Sequence, residues 1–338
     1  MAERVRKVVR WTISLVVLVL LLGVAAVMYV QRQAISDYFA ARDYSPSLEM
    51  AELTSKLQFT ALGERVFYAT HPTLDASQRF NEQCAEVEHS DEGHVLGCYA
   101  HDTIHLFKVT DERLSGIVEA TAAHELLHAA WARMAETERD ELQTRLLALY
   151  DQLAADDPAL VERMSVYQQL SPAAFANELH SVLGTEVRQL PQWLEDHYAT
   201  WMYDRSIVLD YFDASHAVFE KIQARADDLQ AQLTALRTSV ETRSDAYDVA
   251  VNRFNADVQE FNRENDNYAF SGNEAEFWRQ RNALESRAAV LNQERAEIQR
   301  DIERYEDMRQ ELQDLSATNA QLNEHLDSTL APPVFPGG

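Results

Sequence analysis

The pattern of apolar and polar positions changes character several times along the chain. Residues 11–30, "WTISLVVLVLLLGVAAVMYV", are almost wholly apolar and carry no charge. A polar stretch follows, and residues 48–62 then show helical spacing. Next come the short runs "RVFYAT", "HVLGCYA" and "TIHLFKVT", rich in Val, Ile, Phe and Tyr and separated by polar or glycine-bearing turns. They predict short strands. From about residue 115 to 205 the pattern is helical again, and Pro158, Pro172 and Pro191 stand where helices should start or stop.

The last third is different. Phe219, Ile222, Ala226, Leu229, Leu233, Leu236, Val240, Tyr247, Phe254, Val258 and Phe261 follow a heptad seam. "RENDNYAFSGNEAE" interrupts it, and the seam resumes with Phe277, Leu284, Leu291, Ile298, Ile302, Tyr305, Leu312 and Leu315. Two long helices joined by a short polar loop predict an antiparallel coiled-coil hairpin. Each arm would reach roughly 70 Å. Such an arm serves structure, or binds a partner protein or further copies of the chain. The expected fold is thus mainly α with a small β element, ending in a long helical hairpin over 206–328. Residues 329–338, "TLAPPVFPGG", are expected to be a disordered tail.

The apolar run has the length of a membrane-crossing helix, which takes about 20 residues. Arg4, Arg6, Lys7 and Arg10 precede it. Basic flanks keep that end in the cytoplasm. Residues 1–10 then form a cytoplasmic tail, 11–30 a transmembrane signal anchor and 31–47 a stem, with the main body extracytoplasmic, as in a bacterial envelope. The rival is a cleaved signal peptide, but the run is long for one and no small-x-small site closes it. The net charge of −25 argues against nucleic acid, whose phosphates need a basic surface. Cys84 and Cys98 are the only cysteines. Outside the cytoplasm such a pair forms a disulfide. A metal site from Cys84, His89, His94 and Cys98 is the alternative, although the spacing matches no common finger.

Chemistry concentrates in "ATAAHELLHAAWAR", residues 120–133. On a helix His124 and His128 lie on one face, one turn apart, and can share a metal. Glu125 stands about 100° round, beside the metal and near a bound water. This is the H-E-x-x-H arrangement of zinc peptidases. Alanines at 120, 122, 123, 129 and 130 let such a helix be packed closely on other elements. A catalytic zinc needs a third protein ligand. One pattern requires Gly three and His six positions beyond the second histidine. Those positions are Trp131 and Met134, which excludes it.

Fifty positions after His128 stands Glu178, within "FANELHSVLGTEV". Together the two segments resemble the gluzincin peptidases, the thermolysin-like group, over about residues 117–187. In that group an Asn-Glu pair opens a second helix containing Ser and Gly-Thr, and its Glu binds zinc. The resemblance implies Glu178 as third ligand, preceded by Asn177 and followed by Ser181 and Gly184-Thr185. It departs at Val182, where an acidic residue would orient a histidine; Glu186 is the substitute at hand. His180 and Glu186 are the other candidates for third ligand. Glu178 and His180 lie about 200° apart on a helix, so only one of them can face a given metal.

The resemblance implies a gluzincin-like two-helix zinc core over residues 48–205, holding one catalytic Zn2+ and hydrolysing a protein or peptide substrate. Glu125 would act as general base toward a zinc-activated water. A donor for the developing oxyanion would come from Tyr198, with His180, His197 and Arg205 as alternatives. "TIHLFKVT" is a candidate edge strand for binding extended peptide. Two other classes fit the same residues. One is a non-catalytic envelope scaffold working through its coiled coil. The other is a zinc hydrolase acting on a non-peptide amide.

Overall fold

The computed structural model describes residues 2–85 and 95–329. Residues 330–338, expected as a disordered tail, and His89 and His94 lie outside the described residues. The chain divides into two units, Met1–Val218 with Leu322–Gly338, and Phe219–Gln321.

The first unit opens with α1 (Ala2–Val30), α2 (Arg32–Asp43), α3 (Leu48–Leu57) and α4 (Ala61–Ala69). Among the described residues no single helix is long and apolar enough to cross a membrane. Val17–Val30 and Arg32–Asp43 reach that composition together, bent by 62° at the break between them. The expected stem is a folded part of the unit. α2 packs on α4, and its Asp37 is buried against Arg133.

The helix expected over 48–62 breaks in two. Gln58 takes a left-handed conformation at the end of α3, and Thr60 then caps α4 by accepting the Gly63 amide. "RVFYAT" lies mostly in α4 and is not a strand. Gly63, Val66 and Phe67 face the core at helical spacing, and that burial overrides the β propensity of Val, Phe and Tyr. Gly63 has to be glycine, because a Cβ there would lie 2.2 Å from the Trp201 carbonyl oxygen.

Three strands follow: β1 (Thr73–Asp75), β2 (Gly97–Ala100) and β3 (Thr103–Phe107), with α5 (Ser77–Cys84) between β1 and β2. The sheet order is β1-β3-β2. β1 pairs with β3 in parallel and β2 pairs with it antiparallel. "TIHLFKVT", expected as an edge strand, therefore supplies the central strand, and β1 and β2 are the edges. His101 and Asp102, both at positive φ, make the tight β2–β3 turn. One face of the sheet meets Phe80 and Cys84 of α5 through Cys98, Ala100 and Phe107. Cys84 and Cys98 form a disulfide there, which on the chain-entropy argument contributes about 3 kcal/mol.

The other face meets α6 (Ile117–Arg133). α7 (Glu136–Leu153), α8 (Pro158–Ser165), α9 (Pro172–Glu186) and α10 (Gln192–Tyr198) complete the main core. Pro158 and Pro172 occupy the first helical positions of α8 and α9, where a missing N–H is harmless.

α11 (Arg205–Asp266) and α12 (Glu274–Leu326) pack together and supply the second unit, Phe219–Gln321. The helices have 62 and 53 residues, about 90 and 80 Å in length. They exceed the expected 70 Å because each runs on into the first unit. Cross-helix pairs Arg225–Glu311, Arg243–Glu294 and Arg287–Asp257 step in opposite directions along the two helices, so the hairpin is antiparallel. Phe261, Phe270 and Phe277 cluster at the reversal.

Candidate metal centre

α6 is buried along most of its length. Ala122, Ala123, Leu126, Leu127, Ala129 and Ala130 are fully buried. The alanines let α4, α9 and the sheet approach closely. Gly116 starts the helix at φ +100°, under the Tyr211 carbonyl. Glu119 in the first turn is held by Lys56 at 3.0 Å.

His124 and His128 turn their rings to one face, with their Nε2 atoms 3.1 Å apart. α9 packs against that face. Its Glu178 Oε2 lies 3.7 Å from His124 Nε2 and 3.6 Å from His128 Nε2. A tetrahedral centre with bonds near 2.0–2.1 Å separates neighbouring ligand atoms by about 3.4 Å. The three donors are thus spaced as one small divalent cation requires. Ligand-type atoms of His124, Glu125 and His128 also lie within 4.8 Å of one another.

Local structure aims each candidate ligand. Ser171 caps α9 by accepting the Ala174 amide. Arg205 closes the other end, donating through Nη1 to the Val187 carbonyl at 2.7 Å and through Nε to Glu195 at 3.0 Å. His128 Nδ1 is 3.4 Å from Ser181 Oγ, which leaves Nε2 to face Glu178. Asn177 adjoins His128 and keeps a buried Oδ1 without a partner.

Burial works against the His128 imidazolium, but the Glu178 and Glu125 carboxylates outweigh it and its pKa rises to about 9. Burial likewise opposes charge on Glu178, and the two histidines overcome it, holding its carboxyl well below the usual range. Glu125 is raised by burial, against the pull of His128 and His124. Its Oε2 is buried with no partner. An acceptor in that state calls for a donor, a water or a substrate N–H.

No family model, curated protein or solved structure matches this chain.

Other expected residues are placed elsewhere. The Tyr198 side chain is fully buried and its hydroxyl donates to the His180 carbonyl at 2.7 Å. The phenol proton is thus engaged inside the fold. His180 is also fully buried, its Nε2 2.8 Å from His197 Nε2 and its ring against Trp131. It points away from Glu178's face, so neither the ligand nor the donor role suits it. His197 is held in the same pair, and Arg205 is committed to the end of α9. Glu186 pairs with Arg163 at 2.9 Å, and Ser181 takes the histidine contact it was expected to make.

Two contributors escaped the sequence. Gly97 of β2 lies directly on Glu125: a Cβ there would come 2.8 Å from Glu125 Oε1 and 2.6 Å from Thr121 Cγ2. A glycine inside a strand pattern was the available signal, since it marks close backbone approach. Tyr167 is the second. Its half-buried phenol is pushed up to about 12, first by burial, with Glu178, Glu186 and Glu125 adding to it against Arg163. Nothing in its local sequence singles it out.

Proposed function

We propose that this chain is a membrane-anchored, extracytoplasmic zinc metallopeptidase of gluzincin-like design. The observation that carries the reading is the convergence of His124 Nε2, His128 Nε2 and Glu178 Oε2 within 3.7 Å of each other, beside a buried carboxylate. These three residues would hold the ion. When bound, zinc supplies Lewis-acid polarisation and makes an attacking water acidic enough to deprotonate near neutral pH.

The chain's own residues supply the rest. Glu125, raised by burial, accepts the proton of the attacking water and returns it to the leaving amine. Ser181, 3.4 Å from Nδ1, holds the His128 ring in its ligating orientation. Glu178 and Glu125 add to the burial that raises the Tyr167 phenol.

A peptide substrate is favoured by β2. Leu96 O accepts the Phe107 amide, and Cys98 opposes His105. That register turns the main-chain groups of Gly97 and Tyr99 away from β3, toward an edge that carries no further strand among the described residues. An extended peptide can add there as a further strand, next to Glu125. The anchor reading draws on exposed apolar side chains along α1, such as Leu20 and Val27 at 63%, and on the basic residues before them. The Cys84–Cys98 disulfide suits an oxidising compartment. The packed pair α11–α12 is the element suited to a partner or a second copy.

The test is elemental analysis of detergent-solubilised full-length protein, with a labelled-casein cleavage assay. A single zinc per chain is expected, lost in Glu178→Ala. Glu125→Gln should keep the zinc and lose about 10²–10⁴-fold in turnover. Folded protein without zinc would leave the anchored coiled-coil scaffold as the function.

A further inference from the structure

α2 has two working faces. The inner one packs on α4 and carries Asp37, 6% exposed, whose carboxylate accepts from Arg133 Nε at 3.1 Å. Arg133 is the last residue of α6, and its Nη1 also donates to the Ala129 carbonyl and the Tyr99 hydroxyl, each at 3.1 Å. This side of α2 therefore grips both the helix of the metal centre and the edge strand β2.

The outer face carries exposed apolar side chains with no partner among the described residues. Ile35 and Phe39 are one turn apart and lie about 160–200° round the helix from Asp37. They are 41% and 62% exposed. Arg32 and Arg42 flank them on the same face, and Tyr38 stands beside them, 49% exposed. Arg32 also covers the ring of Tyr29, the next-to-last residue of α1. An apolar stripe flanked by arginines and aromatic rings is the make-up of a helix lying in a lipid interface, with guanidinium groups reaching phosphates. Such rings concentrate at headgroup level.

Continuity with α1 decides the occupant. The apolar side chains described in α1 are exposed up to Val30, and α2 leaves that axis at 62° after a single residue, Gln31. If α1 runs along the bilayer normal, a helix turned through this angle leans toward the membrane plane just where the span ends. The opposite, buried face of α2 is already taken by the fold, so the outer face is the one left for lipid.

We propose that the outer face of α2, formed by Ile35 and Phe39 between Arg32 and Arg42, seats in the headgroup region of the bilayer and so ties α6, through Asp37–Arg133, to the membrane surface. The proposal rests on the anchor reading.

The experiment uses full-length protein in phosphatidylcholine vesicles. Single variants Leu20→Cys, Ile35→Cys, Phe39→Cys and Glu138→Cys are spin-labelled; Cys84 and Cys98 are bonded to each other and do not compete. Collision rates with oxygen and with a water-soluble nickel complex give the depth of each label. Position 20 should report hydrocarbon and the exposed Glu138 position bulk water. Positions 35 and 39 should lie between, with nickel collisions reduced about threefold or more relative to 138. Labels at 35 and 39 that match 138, while 20 is deep, overturn the proposal and leave the anchor standing. An aqueous signal at 20 removes the anchor, and the proposal with it.

Discussion

Gly97 on β2 and Glu125 on α6 are in direct contact, so close that a single added methyl group would lie 2.8 Å from the carboxylate oxygen. The edge strand thus forms one wall of the carboxylate's pocket. This joins a residue far from the H-E-x-x-H helix in sequence to the group proposed as general base.

Gly97→Ala tests that contact. The methyl group must displace Glu125 or Thr121, and overpacking of this kind costs about 1–3 kcal/mol. Turnover in the casein assay should fall about ten- to a hundredfold, a displaced base losing part of the roughly 10²–10⁴-fold that general-base catalysis supplies. Zinc content should not change, because Gly97 touches no ligand. Undiminished turnover would show that the strand does not position the base.

Tyr198→Phe separates structural from catalytic use of that phenol. Deleting a hydroxyl bonded to the buried His180 carbonyl should destabilise the protein by about 1–3 kcal/mol, read by denaturant unfolding. Turnover should stay within about twofold. An oxyanion donor would instead lose about 10²–10³-fold.

The metal-free protein and zinc affinity should respond to pH through His128. Its pKa is about 9 in the folded chain, against 6.5 for an unperturbed histidine. A folded pKa above the unfolded one stabilises fully below pH 6.5, and that contribution is lost as pH rises through 9. Zinc needs the neutral ring. Chelator competition should therefore show affinity rising by about tenfold per pH unit over the same window. Glu178→Gln removes the charge that raises His128 most, so the window should move to lower pH. An unchanged His128 midpoint in the metal-free variant, read by NMR titration, would detach Glu178 from His128.

Arg205→Met probes the end of α9. The guanidinium is 8% exposed and satisfies carbonyls of that helix together with Glu195. Glu195 is 32% exposed, so removing its partner should cost less than a fully buried pair would, on the order of 2 kcal/mol. Thermal unfolding should show a loss of that size, and retention of the parent midpoint would mean that α9 is held by packing alone.

Legibility followed the range of the interactions. His124 and His128 meet because four residues make about one helical turn, so their pairing was readable from spacing. The heptads of α11 and α12 were readable for the same reason. Pro158 and Pro172 marked helix starts because proline fixes its own backbone. β1 escaped notice: it has three residues and exists only by pairing with β3, from Thr73↔His105 onward. "RVFYAT" misled because its branched and aromatic side chains suit a strand, while the Thr60 cap and burial of Val66 and Phe67 make a helix.

The sequence by itself determined which residues could serve as metal ligands and base, the helical character of most of the chain and the hairpin, since these depend on residue type and local periodicity. Tertiary structure alone decided that Glu178 rather than His180 or Glu186 faces the two histidines, that β3 lies inside the sheet, and that Tyr198 is locked into the core. Those outcomes depend on which face of one helix or strand meets another. A turn of about 100° per residue changes the partner completely, and only packing across the whole core selects among the possibilities.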